Sequence, residues 1–117
     1  MSVRRGDIVI VELDPTEGSE QLGTRPCLVV QNNVGNEHSP TTIVVPFTTA
    51  HGDTLYPFEA LISAADSPLR DDSVALCTQI RTISIEDRIR KTIGSVSESS
   101  MDEVDAALEY SLGLAEL

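Results

Sequence analysis

The chain has 117 residues and carries 19 Asp and Glu against 8 Lys and Arg, a net charge of −11. That length makes one domain, residues 1–117, large enough to bury a core without staples. The charge excludes a globally basic nucleic-acid binder, and apolar runs no longer than four residues, such as Ile8-Val9-Ile10-Val11, exclude a membrane-spanning helix.

Seven of the 8 cations are arginine and only Lys91 is lysine. This acid-rich, lysine-poor balance fits a protein working in concentrated salt, where self-repulsion is screened, or else an ordinary acidic cytosolic protein. No signal-peptide apolar stretch follows Met1-Ser2-Val3-Arg4-Arg5, so a cytoplasmic location is expected.

The elements read mostly as strands. Residues 7–13 form a β-branched run that ends at the turn signal Asp14-Pro15. Residues 16–24 are a polar loop with two glycines, longer than the usual span of about 4–6 residues. A second strand is expected at 26–31 and a loop rich in Asn and Gly at 32–40. The third strand, 41–47, has Pro46 near its end, which points to an edge or a bulge. Residues 50–55 read as a turn, 58–63 as a short strand and 64–72 as loop. The longest strand is expected at 73–83, a short helical turn at 85–90 and a last short strand at 92–96.

The C-terminus changes period. Ser100-x-x-Glu103 has the form of a capping box. Met101, Val104, Leu108 and Leu112 then share one helical face, while Asp102, Glu103 and Asp105 lie in the first turns, where the dipole favours anions. The expected fold is mainly β (α+β), a small, partly closed antiparallel barrel with a C-terminal helix.

Cys27 and Cys77 each lie in an apolar run and read as buried free thiols; there is no C-x-x-C. No phosphate-loop, dinucleotide, zinc-protease or nucleophile-elbow motif is present. His38 and His51 are isolated in polar loops and read as surface residues. Neither a metal nor a cofactor is expected.

Three stretches combine groups that can handle a phosphate. The first runs from Gly18-Ser19-Glu20-Gln21 to Arg25-Pro26. It joins loop amides, a hydroxyl and a carboxylate to a guanidinium whose planar donor fork suits a phosphate. Its structural alternative is a loop clasp between Arg25 and Glu20. The second, Val45-Pro46-Phe47-Thr48-Thr49, places two hydroxyls at a strand end, which ordinary β propensity also explains. The third is Gln79-Ile80-Arg81, where alternation puts Gln79 and Arg81 on one face. Arg88, Arg90 and Lys91 follow, so 4 of the 8 cations fall within residues 81–91, a local positive patch or a solvated face balancing Glu86 and Asp87.

Together with Arg5-Gly6-Asp7-Ile8-Val9, Asp14-Pro15-Thr16-Glu17, Val29-Val30-Gln31-Asn32, Ser39-Pro40-Thr41, Asp72-Ser73-Val74 and Thr82-Ile83, these strings resemble the MazF/PemK toxin family of toxin–antitoxin systems. The similarity runs in order through nearly the whole chain and is nearest the MazF branch. The resemblance implies a plug-type, SH3-like barrel that forms a homodimer. It implies a metal-independent endoribonuclease that cuts single-stranded RNA at short motifs and leaves a 2′,3′-cyclic phosphate and a 5′-hydroxyl. It also implies inhibition by a cognate MazE-like antitoxin. Carried over, the catalytic residues fall on Arg25 and Thr48, with Glu20 the nearby carboxylate for proton transfer. The RNA-binding residues fall on Ser19, Gln21, Thr49, Gln79 and Arg81.

The acidity departs from that pattern, since at low salt such a chain repels RNA except at its arginines. Only Phe47 and Tyr56 offer stacking surfaces. A gyrase-poisoning toxin of the CcdB type and a non-enzymatic SH3-like binding module are the competing readings.

Overall fold

The computed structural model describes residues 2–117. In chain order the elements are β1 (Asp7–Glu12), β2 (Thr24–Val29), α1 (Asn33–His38), β3 (Thr41–Thr48), β4 (Glu59–Ile62), a 3₁₀ turn (Ala64–Asp66), β5 (Ser73–Leu76), β6 (Arg81–Ser84), α2 (Ile85–Arg88), β7 (Ile89–Ser95) and α3 (Glu98–Ser111). The strands form one antiparallel sheet in the order β4-β5-β3-β2-β1-β7, with β6 added to β3. The sheet does not close on itself, and β4 and β7 are its ends. The expected mainly β fold with a C-terminal helix is the one observed.

Alternation along the strands sorts apolar side chains to two faces. Ile8, Leu28, Val45 and Phe47 face a core completed by Ile62, Leu69, Cys77 and the α3 residues Val104 and Ala107. Val9, Val11, Cys27, Val29 and Val44 face the other way, onto Ile83, Ile85 and Ile89. Each such fully buried aliphatic side chain contributes about 1.5–3 kcal/mol relative to exposure.

Strand β3 is the hub. On one side it pairs with β2 in the register Cys27↔Pro46, Leu28↔Val45, Val29↔Val44. On the other it pairs with β6 up to Val44↔Arg81 and with β5 from Phe47↔Ala75. Pro46 therefore lies in a central strand, not at an edge or bulge. It is tolerated because its missing N–H coincides with the change of partner from β6 to β5.

Other expectations shift locally. The segment 32–40 is not all loop: Asn32 caps α1 by accepting from Gly35 N, and the helix is held by a buried Asn36 rather than by an apolar stripe. The run 73–83 is two strands, because the chain turns at residues 77–80 with Gln79 N donating to Leu76 O at 3.0 Å. Helix α3 starts earlier than the Ser100 box predicts: Ser97 is the cap, accepting from Ser100 N. The last strand is longer than 92–96, and its register shifts between Ile8↔Gly94 and Val9↔Thr92. Gly94 stands at that irregularity with φ +147°, and a Cβ there would lie 2.8 Å from Pro68 Cγ.

No helix among the described residues is long and apolar enough to cross a membrane. Cys27 and Cys77 are free and buried, as expected. Burial pushes both thiols up to about 12, although Arg25 and Arg81 pull the Cys27 value partly back.

Candidate active site

Continuing the β2–β3 register two residues past Cys27↔Pro46 brings Arg25 opposite Thr48. Directly opposed residues share a face of the sheet, so both side chains lie on the Cys27 side, at its rim. There the strands end and a cleft of about 500 Å3 opens, lined by Gln21, Arg25, Pro26, Phe47, Thr48, Thr49, Ala50 and Ser73.

The Arg25 guanidinium is fixed at three points. Nε donates to Leu22 O at 2.9 Å, and Nη1 donates to Gln21 Oε1 and, at 3.3 Å, to Phe47 O. Both Nη2 donors are left without a partner among the described residues. The expected alternative, a clasp to Glu20, does not form: the only ion pair among the described residues joins Arg5 to Asp105. Glu20 instead accepts from Glu17 N at 2.6 Å, closing a turn within its own exposed loop. Thr48 Oγ1 accepts from Ala50 N at 3.1 Å, which leaves its hydroxyl proton free to donate.

The β1–β2 loop that carries Ser19, Glu20 and Gln21 is anchored from the far end of the sequence. At its tip, Gln79 Oε1 accepts from Gln21 N at 2.7 Å and Gln79 Nε2 approaches Ser19 O at 3.5 Å. At its start, three successive carbonyls are held by arginines. Arg88 Nη1 donates to Glu12 O at 3.0 Å and to Asp14 O at 2.8 Å, and Arg81 Nη1 donates to Leu13 O at 2.5 Å. Arg90 donates to Asp87 O at 3.0 Å. The cation-rich run 81–91 is thus largely engaged with backbone oxygens. At the loop's neck, Glu12 accepts from Thr24 Oγ1 at 2.5 Å and from Asp14 N at 3.1 Å, and these bonds hold its carboxyl below the ordinary 4.5.

Of the expected residues, the cleft gathers Gln21, Arg25, Thr48 and Thr49. Ser19 and Glu20 lie exposed on the loop beside it, and Gln79 and Arg81 lie behind that loop. Sequence reading did not find Ser73 on the cleft wall, the Leu22 and Phe47 carbonyls that seat Arg25, or Arg88 as an anchor. Only the proximity of Arg88 to Arg81 in sequence hinted at the last. His38 and His51 are exposed, and no three His, Cys, Asp or Glu side chains gather as a metal-holding group among the described residues.

The fold is thus a small open β sheet that sets an arginine and a threonine side by side at a cleft on its rim. The chain belongs to the PemK-like, MazF-like toxin family of type II toxin–antitoxin systems, whose sequence model it matches over residues 4–112. It is 43% identical over 112 residues to an Endoribonuclease MazF of Staphylococcus epidermidis, a match spanning 96% of this chain and 92% of that protein. Its fold superposes on an endoribonuclease solved in complex with its cognate antitoxin from a Mycobacterial species, with a TM-score of 0.81 at 24% identity, covering 99% of this chain and 100% of the other. MazF from Deinococcus radiodurans superposes with a TM-score of 0.79 at 24% identity, covering 97% and 98% of the two chains.

Proposed function

We propose that this chain is the endoribonuclease toxin of a toxin–antitoxin pair, and that it cuts single-stranded RNA at short sequence motifs without a metal ion. The observation that carries this reading is Arg25 standing opposite Thr48 at an open cleft, with two guanidinium donors unspent. The 43% identity to a protein named as an endoribonuclease supports it.

In the proposed reaction a ribose 2′-oxygen attacks the adjacent phosphorus. The 2′-O–P bond forms, the P–O5′ bond breaks, and the products are a 2′,3′-cyclic phosphate and a 5′-hydroxyl. Negative charge builds on the phosphorane oxygens, where the Arg25 Nη2 donors are pre-oriented to receive it. The Thr48 hydroxyl donates a hydrogen bond to a second phosphate oxygen. Glu20, on the loop beside the cleft, takes the 2′ proton, and a solvent water gives a proton to the departing 5′-oxygen as it leaves. Ser19, Gln21 and Thr49 line the path of the strand and bind it, with Gln79 and Arg81 supporting that path.

The functional unit is a homodimer in the cytoplasm, restrained by a MazE-like antitoxin; a structural relative solved with its own antitoxin supports that partner. With a net charge of −11, recognition leans on base hydrogen bonds and shape more than on bulk attraction, so cleavage persists at molar salt.

The test is cleavage of a long single-stranded RNA in EDTA, at low and at molar salt, with end-group analysis. Arg25→Ala should lower the rate by about 10²–10³-fold, the scale for losing one oxyanion donor, and Thr48→Ala should also lower it. No cutting by the wild-type protein at any salt would return the chain to the gyrase-directed or purely protein-binding readings. A near wild-type rate for Arg25→Ala would overturn the assignment of the site.

A further inference from the structure

The Ser19–Gln21 tip has little to hold it in place. Its own bonds are the turn contacts Glu20 N to Glu17 O at 3.2 Å and Glu17 N to Glu20 Oε1 at 2.6 Å, with Thr16 Oγ1 to Asp14 Oδ1 at 3.2 Å nearer the neck. The neck is closed by Leu13 N to Gly23 O at 3.0 Å. Arg81 and Arg88 grip the loop's first residues and do not reach the tip. Yet Gln21 supplies the side-chain oxygen that seats Arg25 Nη1. Apart from Arg25 itself, which grips the Gln21 side chain and Leu22 O, what holds the Gln21 backbone is a residue 58 positions away, Gln79, in the turn between β5 and β6.

The chemistry of this contact is one-sided. A backbone N–H only donates, so the Gln79 atom facing Gln21 N at 2.7 Å is the amide oxygen. The second contact, from Gln79 Nε2 to Ser19 O, lies at 3.5 Å, the long limit of a hydrogen bond. The acceptor therefore does the anchoring. It sets the Gln21 backbone, the Gln21 side chain sets Arg25, and Arg25 meets the phosphate.

We propose that Gln79 is a positioning residue for RNA cleavage, acting on Arg25 through Gln21 and not through contact with the RNA. The proposal rests on the endoribonuclease reading above. A residue that binds RNA changes KM when removed, whereas one that orients Arg25 toward the transition state changes kcat.

The test uses Gln79→Met, which keeps length and removes both polar atoms, and Gln79→Glu, which keeps the acceptor. Kinetics are measured on an oligonucleotide containing a site mapped on the long RNA. Gln79→Met should lower kcat by roughly 10–100-fold, the scale of a small misplacement of a catalytic group, with KM little changed. Added to Arg25→Ala it should cost nothing further. Gln79→Glu should restore kcat, with its new negative charge appearing only in KM.

A readout independent of activity is exchange of the Arg25 Nε proton by NMR. It should be protected by Leu22 O in the wild type and in Gln79→Glu, and lose that protection in Gln79→Met. A rise in KM with unchanged kcat, or full additivity with Arg25→Ala, would make Gln79 an RNA contact and overturn the proposal. Unchanged Nε–H exchange in Gln79→Met would overturn it as well. If the wild type cuts no RNA but the exchange pattern holds, the positioning stands and the endoribonuclease reading falls.

Discussion

Two polar connections leave β2, one at each end, and they resemble each other in sequence far more than in structure. The connection before it, residues 13–23, stays a loop, exposed over Asp14–Glu20 apart from half-buried Thr16. The one after it folds into α1, with Asn36 buried at its centre. The difference lies in where each finds hydrogen-bond partners. The second is satisfied mainly by its own neighbours: Asn36 Oδ1 accepts from Gln31 Nε2 at 3.0 Å and Thr42 Oγ1 at 2.7 Å, and Asn36 Nδ2 donates to Gln31 O at 3.0 Å, with Arg5 N adding a bond to Asn33 Oδ1 at 2.7 Å. The first depends on Gln79, Arg81 and Arg88, all far along the chain, in and around β6. A locally tied segment adds stability. A remotely tied one gives stable placement to exposed residues, and the cleft lies beside them.

That contrast is open to direct attack. Gln21→Ala removes the acceptor seating Arg25 and should cut kcat by about 10–100-fold while the melting temperature scarcely moves. A large loss of melting temperature with unaltered kcat would erase the distinction. Asn36→Ala should do the reverse. It strands buried polar atoms on Gln31 and Thr42, at a cost of about 1–3 kcal/mol in denaturant unfolding, with kcat intact in the folded fraction.

The smallest effect belongs to the neck of the exposed loop. Glu12 is held ionised by Thr24 and Asp14, so its folded pKa lies below the unfolded one. The stabilisation is complete above pH 4.5 and fades as the pH falls through the lowered folded value. Unfolding of Glu12→Gln, followed from neutral pH through that range, should show a shallower acid dependence than the wild type. Identical slopes would remove Glu12 from the account.

The sequence made the strands legible because their apolar residues alternate onto two buried faces. It made Arg25 and Thr48 legible as strand-end residues, and resemblance supplied their partnership. It concealed α1, since a six-residue helix built on Asn32 and Asn36 carries no apolar period and its one aliphatic residue, Val34, is exposed. It merged β5 with β6 because the turn between them holds a buried Cys77 and a half-buried Ile80, so hydrophobicity does not dip where the chain reverses. The anchors of the β1–β2 loop were invisible for a different reason. Gln79, Arg81 and Arg88 act on backbone oxygens and amides 58 to 76 residues away, and no local pattern encodes such a partner.

Strand alternation gives the β2–β3 ladder a parity, and the proposed chemistry inherits it. A slip of one residue would send Val44, Pro46 and Thr48 to the face now held by Val45 and Phe47, parting Thr48 from Arg25 by the thickness of the sheet. Val44 and Val45 are both fully enclosed, so the two cores hold the frame from opposite sides. The connection through α1 lies outside that frame and can change length without altering the phase. A single residue inserted between Val44 and Thr48 has no such freedom. The apolar interior, which never meets the substrate, thus acts as the error check on whether the two groups at the rim are in step.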